Sequence, residues 1–369
     1  RYFGAQSYLK TISGLSFAGI GNTEIKWETT RRANLGIEAD FMQHRLHVAG
    51  HWFNSTTDDL LSLQSLGFLS GLEYNWANAG KLKNVGYDLS VSGKVIATKD
   101  WSWELGFSVG HYKNEIKSLA EGQTGYNTDA YGATIRTQVG SAANIFYGYR
   151  TEGVFSTSEQ AAAAGLYVMA DNGVDRNYFG AGDMIFTDVD GNKQIDESDR
   201  MVIGDPNPDI YGNIFTAVSY KGFRLDANFG YSVGNDVYNY MRSQLEGGSR
   251  FMNQTTAMTQ RWQVEGQETA VPKATFQDPM GNSRFSDRWI EDGSYLKLKS
   301  LTLSYNLPLN MQFLQGMQFW IQGNNLFTMT EYLGSDPEVV ATSAVIGQGI
   351  DLGRIGQSRS FMAGIKINL

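Results

Sequence analysis

The chain has 369 residues and no cysteine, which excludes disulfides and thiolate metal centres. It does not fix the compartment, because many exported proteins also lack cysteine. Proline is scarce, 6 against 42 glycines; this ratio suits long sheets with tight turns better than disorder. Basic residues are in deficit, 30 against 38 acidic, for a net charge of -8. That argues against nucleic acid as a partner, since nucleic acid asks for a clustered basic face. Charged residues make up 18%, below the usual quarter, while aromatics reach 13%. No apolar run is long enough for a transmembrane helix. No signal peptide opens the chain, and Arg1 is an unusual natural start, so a processed or partial chain is expected. The length suits two or three soluble domains or one large all-β unit.

What is present is period-two alternation over unusually long segments, the signature of strands. Ala33, Leu35, Ile37, Ala39 and Phe41 share one face, and Arg32, Asn34, Gly36, Glu38 and Asp40 the other. Trp101, Trp103, Leu105, Phe107 and Val109 oppose Ser102, Glu104, Gly106 and Ser108. Phe223, Leu225, Ala227, Phe229 and Tyr231 oppose Arg224, Asp226, Asn228 and Ser232. The C-terminus repeats the pattern through Phe361, Ala363, Ile365, Ile367 and Leu369. Nine strands are expected, near residues 27–41, 44–57, 77–96, 101–117, 208–220, 222–234, 293–306, 316–328 and 358–369.

Soluble sandwiches also alternate, so the links between strands carry the argument. Short links fall at Met42-Gln43, Ala97 to Asp100, Lys221, and Pro308 to Gln315; long ones cover 58–76, 118–207, 235–292 and 329–357. Short turns at one end and long loops at the other are the mark of bacterial outer-membrane barrels. Phe41, Trp101, Trp103, Tyr220, Phe223 and Tyr305 cluster at the short-turn end, as an interfacial girdle would. In a soluble sandwich the same rings would be core. An odd strand count cannot close a simple antiparallel barrel, and unpaired backbone groups cannot sit in hydrocarbon. The edge strands are therefore expected to pair with strands outside this segment, in a larger barrel.

These segments resemble SusC/RagA-type TonB-dependent outer-membrane transporters of Bacteroidota. WIEDGSYLKLKSLTLSYNLP (Trp289 to Pro308) and FWIQGNNLFTMTEYLGSDPEV (Phe319 to Val339) are similar to consecutive hallmarks of that family, with Asn324-Asn325-Leu326-Phe327 and Asp336-Pro337-Glu338 in register. NTEIKWETTRRANLGIEADF and the stretch from Ser55 to Leu61 resemble its opening of a strand pair, and Gly182 to Asn239 its acidic loop and following strand pair. The matches correspond to the C-terminal part of such a transporter. Leu369 departs from the aromatic residue on which family members often end. The resemblance implies an all-β fold: a transmembrane antiparallel β-barrel segment, about nine strands of a 22-stranded barrel, in the outer membrane and in contact with its lipid. The implied partners are a chain carrying the N-terminal barrel strands and plug, TonB acting through that plug, and a SusD-like lipoprotein lid. The implied activity is import of oligosaccharides or peptides, without enzymatic chemistry. The competing expectations are a passive porin or structural surface barrel without a plug, and a soluble carbohydrate-binding β-domain.

Within the 118–207 excursion, TDVDGNKQIDESDR spaces oxygen-bearing side chains as a calcium loop does. Asp188, Asp190, Asn192, Gln194, Asp196 and Asp199 occupy positions 1, 3, 5, 7, 9 and 12 of an EF-hand-like segment, and Ile195 takes the place of its aliphatic anchor. Lys193 stands where a glycine is usual, and Asp199 is shorter than the usual glutamate. The alternative is an acidic solvated loop rich in turn formers. If Ca2+ binds, its role is structural, bracing the rim where a lid protein docks.

Other groupings read as ordinary structure. His47 and His51 are expected to face the lumen and His44 to lie in a turn. Arg32, Glu38, Asp40, Glu104, Arg224 and Asp226 read as balanced charges on a water-lined wall. The region around Ser16 lacks a nucleophile elbow, and Gly148 to Phe155 lacks phosphate-loop spacing. Tyr74, Trp76, Tyr126, Tyr131, Phe146, Tyr147, Tyr238 and Tyr240 are loop aromatics that either stack on sugar rings or pack the loops together. The 235–292 excursion is expected to carry two short helices, in VYNYMRSQLEGG and NQTTAMTQRWQ.

Overall fold

The computed structural model describes residues 2–8, 12–19, 22–65, 74–120, 122–311, 314–338, 341 and 345–368. Leu369, the link residues 66–73 and 312–313, and the side chain of Tyr74 lie outside the described residues.

Nine strands form one sheet in the order of the chain: β1 (Thr29–Phe41), β2 (Leu46–Ser65), β3 (Tyr74–Ala97), β4 (Trp101–Ser118), β5 (Ile210–Tyr220), β6 (Phe223–Val233), β7 (Tyr295–Met311), β8 (Leu314–Thr330) and β9 (Ser360–Asn368). Every neighbouring pair is antiparallel. A further hairpin, Tyr2–Tyr8 with Ile12–Gly19, forms a two-stranded sheet of its own and was not anticipated.

The short links have a clear local cause. Met42, Gln43 and His44 all take positive φ (54°, 56° and 62°), which reverses the chain between β1 and β2. Lys221 and Gly222 are both left-handed (φ 45° and 89°) and close a two-residue hairpin between paired Tyr220 and Phe223. Two successive positive φ angles match the twist of the flanking strands.

The 58–76 link is shorter than its composition implied. Asp59 takes φ 56° at an irregularity, and the ladder resumes from Leu60 opposite Gly80 to Ser65 opposite Tyr74. Such a bulge absorbs turn-forming residues without ending the strand. Arg31 and Lys81 meet Asp58 at 3.4 and 2.9 Å from the two neighbouring strands, which anchors that irregularity. Tyr74 and Trp76 consequently belong to β3 and not to a loop. With 24 residues, β3 is far longer than the roughly 9–11 needed to cross hydrocarbon, so it projects well beyond a bilayer.

The register places unlike residues on the two faces. On one, Leu35, Trp52 and Tyr87 pair in a row, as do Leu225, Leu303, Ile321 and Ala363. These side chains are open: Leu35 is 66% and Ile321 58% exposed. On the other face His47, Glu38, Asp40, Glu104, Arg224 and Asp226 meet as ion pairs. At the short-turn end, Trp101 lies 4.3 Å from Tyr220 and Phe223 4.5 Å from Tyr305, between ring centroids.

Both buried hydrophobic clusters lie in the long excursions. The first gathers Phe155, Met184, Phe186 and Ile195 beside α1 (Ser158–Ala164), which is capped by Thr157 and by left-handed Gly165. The second brings Phe146, Tyr238, Trp289 and Ile350 together from separate excursions. A four-stranded sheet (Met201–Gly204, Ile145–Gly148, Ala133–Gln138, Gly125–Ala130, in spatial order) completes this cap. The expected helices are present as α2 (Tyr240–Glu246) and a 3-10 turn at Thr256–Gln260. A soluble sandwich would bury the apolar face of the long sheet under a second layer. Here that face carries no such layer among the described residues, and both hydrophobic clusters belong to the cap.

Candidate functional site

Three arrangements carry chemistry: the acidic loop, the inner wall and the rim.

In the acidic loop, carboxylate oxygens of Asp188, Asp190 and Asp199 all lie within 4.8 Å of one another. Asp199 is fully buried while Asp190 is exposed. Backbone N–H groups organise the cluster. Gly191 and Lys193 donate to Asp188 at 2.9 and 2.8 Å, and Val189 and Asp196 donate to Asp199 at 2.8 Å each. Asn192 donates its amide to Asp190 and accepts from the Gln194 N–H; Gln194 donates to Asp196. Asp196 stands outside the three-carboxylate group and caps the 3-10 turn Glu197–Asp199. Lys193 adopts φ 65°, the left-handed backbone that position requires and that a side chain disfavours. Ile195 is 3% exposed and anchors the loop in the first cluster.

The inner wall is charge-balanced. Arg224 meets Asp226 at 2.8 Å and Glu104 at 3.6 Å. His47 bridges Asp40 at 3.0 Å and Glu38 at 3.5 Å, and His44 lies in the turn, 3.4 Å from Asp40. Arg32 donates to Asn34 and lies over the Phe53 ring. This is the charge-balanced wall that alternation implied.

The loop aromatics divide. Phe146 and Tyr238 are buried and Tyr240 packs against them, and Arg136 covers Tyr147 at 4.5 Å. These rings build the cap. Trp76 and Tyr131 remain open to solvent, 47% and 44% exposed.

The rim holds a grouping that sequence reasoning missed. Lys297 of β7 is buried and donates to Asp336 and Glu338, both at 2.8 Å. Tyr295 donates to Glu338 at 2.8 Å, and Lys299 also pairs with Glu338. The Glu338 and Gln357 N–H groups complete the shell of Asp336. Burial alone would raise both carboxyls; the bonds from Lys297 and its neighbours outweigh it and hold them below the ordinary range. A lysine every second residue on a strand, followed about forty residues later by an acidic pair, was the available signal.

A twisted antiparallel sheet with an apolar outer face, a charged inner face, short turns at one end and a folded cap at the other defines a transmembrane β-barrel wall of the outer-membrane kind. The chain belongs to the TonB-dependent receptor-like β-barrel family, which matches residues 1–200. It is 30% identical over 370 residues to TonB-dependent receptor P3 of Formosa agariphila, covering 96% of this chain and 36% of that protein. It is 26% identical over 371 residues to TonB-dependent receptor SusC of Bacteroides thetaiotaomicron, covering 94% and 32%. Among solved structures, the RagAB peptide transporter aligns with a TM-score of 0.76 at 26% identity, covering 99% of this chain and 38% of that one. The SusC/RagA-type resemblance read from the hallmarks therefore holds, and the family is one of outer-membrane transport barrels and not of enzymes. The chain spans about a third of the length of the curated relatives it matches.

Proposed function

We propose that this chain supplies wall and extracellular cap to an active importer of oligosaccharides or peptides. A plug carried elsewhere in the assembly receives force from TonB, and a SusD-like lipoprotein closes over the cap. The observation that carries the reading is the single sheet of nine strands, apolar outside and charged inside. Its edges, β1 and β9, require partner strands in hydrocarbon, because each unpaired backbone group there costs several kcal/mol. Membership of the TonB-dependent receptor family supports energised import over passive diffusion. The test is purification from outer membranes in detergent, mass spectrometry of co-purifying proteins, and uptake measured with and without TonB. Uptake independent of TonB, with no plug in the assembly, would identify a porin.

Calcium at the acidic loop belongs to the same reading. Three converging carboxylates, the left-handed Lys193 and the buried Ile195 support a structural cation there. Asp188, Asp190 and Asp199 would hold it directly, with Asn192 and the Gln194 carbonyl completing the shell and Asp196 acting through water. The cation would brace the cap beneath the lid. Calcium titration of the wild type and an Asp188→Asn/Asp190→Asn variant tests this; equal affinity in both rejects it.

A further inference from the structure

The cap contains a cleft of about 520 Å³ between Ser249-Arg250 and the turn from Phe276 to Arg284. It adjoins a smaller cavity of about 130 Å³, with Ser249, Arg250 and Ser283 lining both. Gln277 N–H donates to the Ser249 carbonyl at 3.0 Å and ties the two walls together.

Four features single it out. First, Arg250 is exposed and makes no side-chain hydrogen bond or ion pair among the described residues. The carboxylate lining the cleft, Asp278, is already engaged by the N–H groups of Asn282 and Ser283 and by the Ser283 hydroxyl, at 2.6 to 2.7 Å. Arg284 is engaged too, donating to the Gly281 and Met280 carbonyls and lying over Tyr149 and Phe186. Among the described residues the cleft thus has one guanidinium free to take an anion, that of Arg250. Second, Phe276 stacks on Phe251 with centroids 4.9 Å apart, and the pair stays open, Phe251 being 93% and Phe276 58% exposed. Two stacked rings at a polar cleft form an apolar platform without a covering partner among the described residues. Third, Gln277 and Asp278 are successive left-handed residues, φ 63° and 47°. Such strain collects at binding sites and is held there by surrounding structure. Fourth, the remaining lining side chains are hydroxyls and an amide: Ser249, Ser283 and Gln277.

We propose that this cleft binds a uronate residue of an acidic oligosaccharide. Arg250 takes the carboxylate, for which the planar guanidinium is suited. The Phe251–Phe276 platform takes the C–H face of the sugar ring. Ser249, Ser283 and Gln277 hydrogen-bond the ring hydroxyls. An acidic peptide is the less suitable occupant: the walls are turns with no strand edge along which an extended backbone could pair. The inference deepens the import reading by naming a cargo class, and it relies on that reading only in placing the cap toward the medium.

The test is calorimetry on the protein purified from outer membranes in detergent. The probes are hexamers of galacturonate, mannuronate and alternating glucuronate, with maltohexaose as neutral control and hexaglutamate as acidic peptide. At least one uronate hexamer should bind, tighter than maltohexaose and hexaglutamate, and more weakly as salt is raised. Arg250→Gln should weaken it at least tenfold, and Phe276→Ala and Phe251→Ala several-fold each. Arg250 has no side-chain partner to lose among the described residues, so that variant should fold normally. No binding by any uronate, binding unchanged in Arg250→Gln, or a preference for hexaglutamate each overturns the proposal. Failure of the import reading appears separately, as TonB-independent uptake with calorimetry intact.

Discussion

Lys297 Nζ sits 2.8 Å from Asp336 Oδ2 with both side chains almost wholly buried, 2% and 6% exposed. The bond joins β7 to the segment that follows β8, and so joins the two stretches most like the SusC/RagA hallmarks. Removing one partner of a buried pair leaves an uncompensated charge, a loss of about 3–5 kcal/mol. Lys297→Met should therefore free the 331–357 segment, read as faster hydrogen exchange and new protease cleavage there. Lys297→Met combined with Asp336→Leu should lose less than the two changes summed. Strict additivity would show that the pair is not coupled.

The same grouping predicts a pH dependence. The Asp336 and Glu338 carboxyls are held below their ordinary values. A depressed carboxyl contributes stability that is present above its unfolded value, about 4, and is lost as pH falls through the folded value. Protection of the 331–357 segment should be level at neutral pH and decline below about pH 4. In the Lys297→Met variant, the decline should begin at higher pH.

Asp236 should behave in the opposite sense. Burial raises its carboxyl; the Asp205 N–H works against this, and the neighbouring charges of Asp205, Asp292 and Asp209 add to the rise. A raised carboxyl favours the folded state when protonated, so its penalty grows as pH rises through the unfolded value and is complete above the folded one. Asp236→Asn retains an oxygen for the Asp205 N–H, bonded now at 2.8 Å. It should slow exchange of the Asp236–Asn239 strand at pH 7 and change little at pH 4. Faster exchange at pH 7 would show that the charge is needed.

The two faces of the sheet should respond differently to charge. Leu303→Arg places a guanidinium on the apolar face near the middle of β7, at a penalty of about 2–4 kcal/mol if that position is near the bilayer midplane. Thr302→Arg, one residue earlier, points inward where Asp226 is its cross-strand partner, and should be tolerated. Urea unfolding of the barrel in lipid, or its heat-modifiable migration, distinguishes them. Equal destabilisation would reverse the assignment of faces.

Lys193 offers a test of the acidic loop. Its φ of 65° opposes the side chain by roughly 1 kcal/mol or somewhat more. Lys193→Gly should relieve this and tighten calcium about fivefold by titration. Weaker binding would place the lysine amine, and not the backbone, in control of the loop.

The sequence alone determined the strands and their faces. Alternation is a local property of side-chain direction, so residues 29–41 or 223–233 show it without reference to any partner. Link lengths then set an up-and-down order, and all nine expected strands occur in it. The convergence of Asp188, Asp190 and Asp199 was legible for the same reason, since they lie in one contiguous stretch. Local reading failed where a local signal had a non-local answer. The stretch from 58 reads as the start of a long link, but Arg31 and Lys81 on adjacent strands hold Asp58 inside a ladder. Only the tertiary structure decided that the long excursions fold into a cap with two cores, that Lys297 meets Asp336 and Glu338, and that Arg250 is left free beside an open aromatic pair. These depend on which distant segments come to share a space, and pairwise contacts between segments thirty or a hundred residues apart leave no periodic trace in the chain.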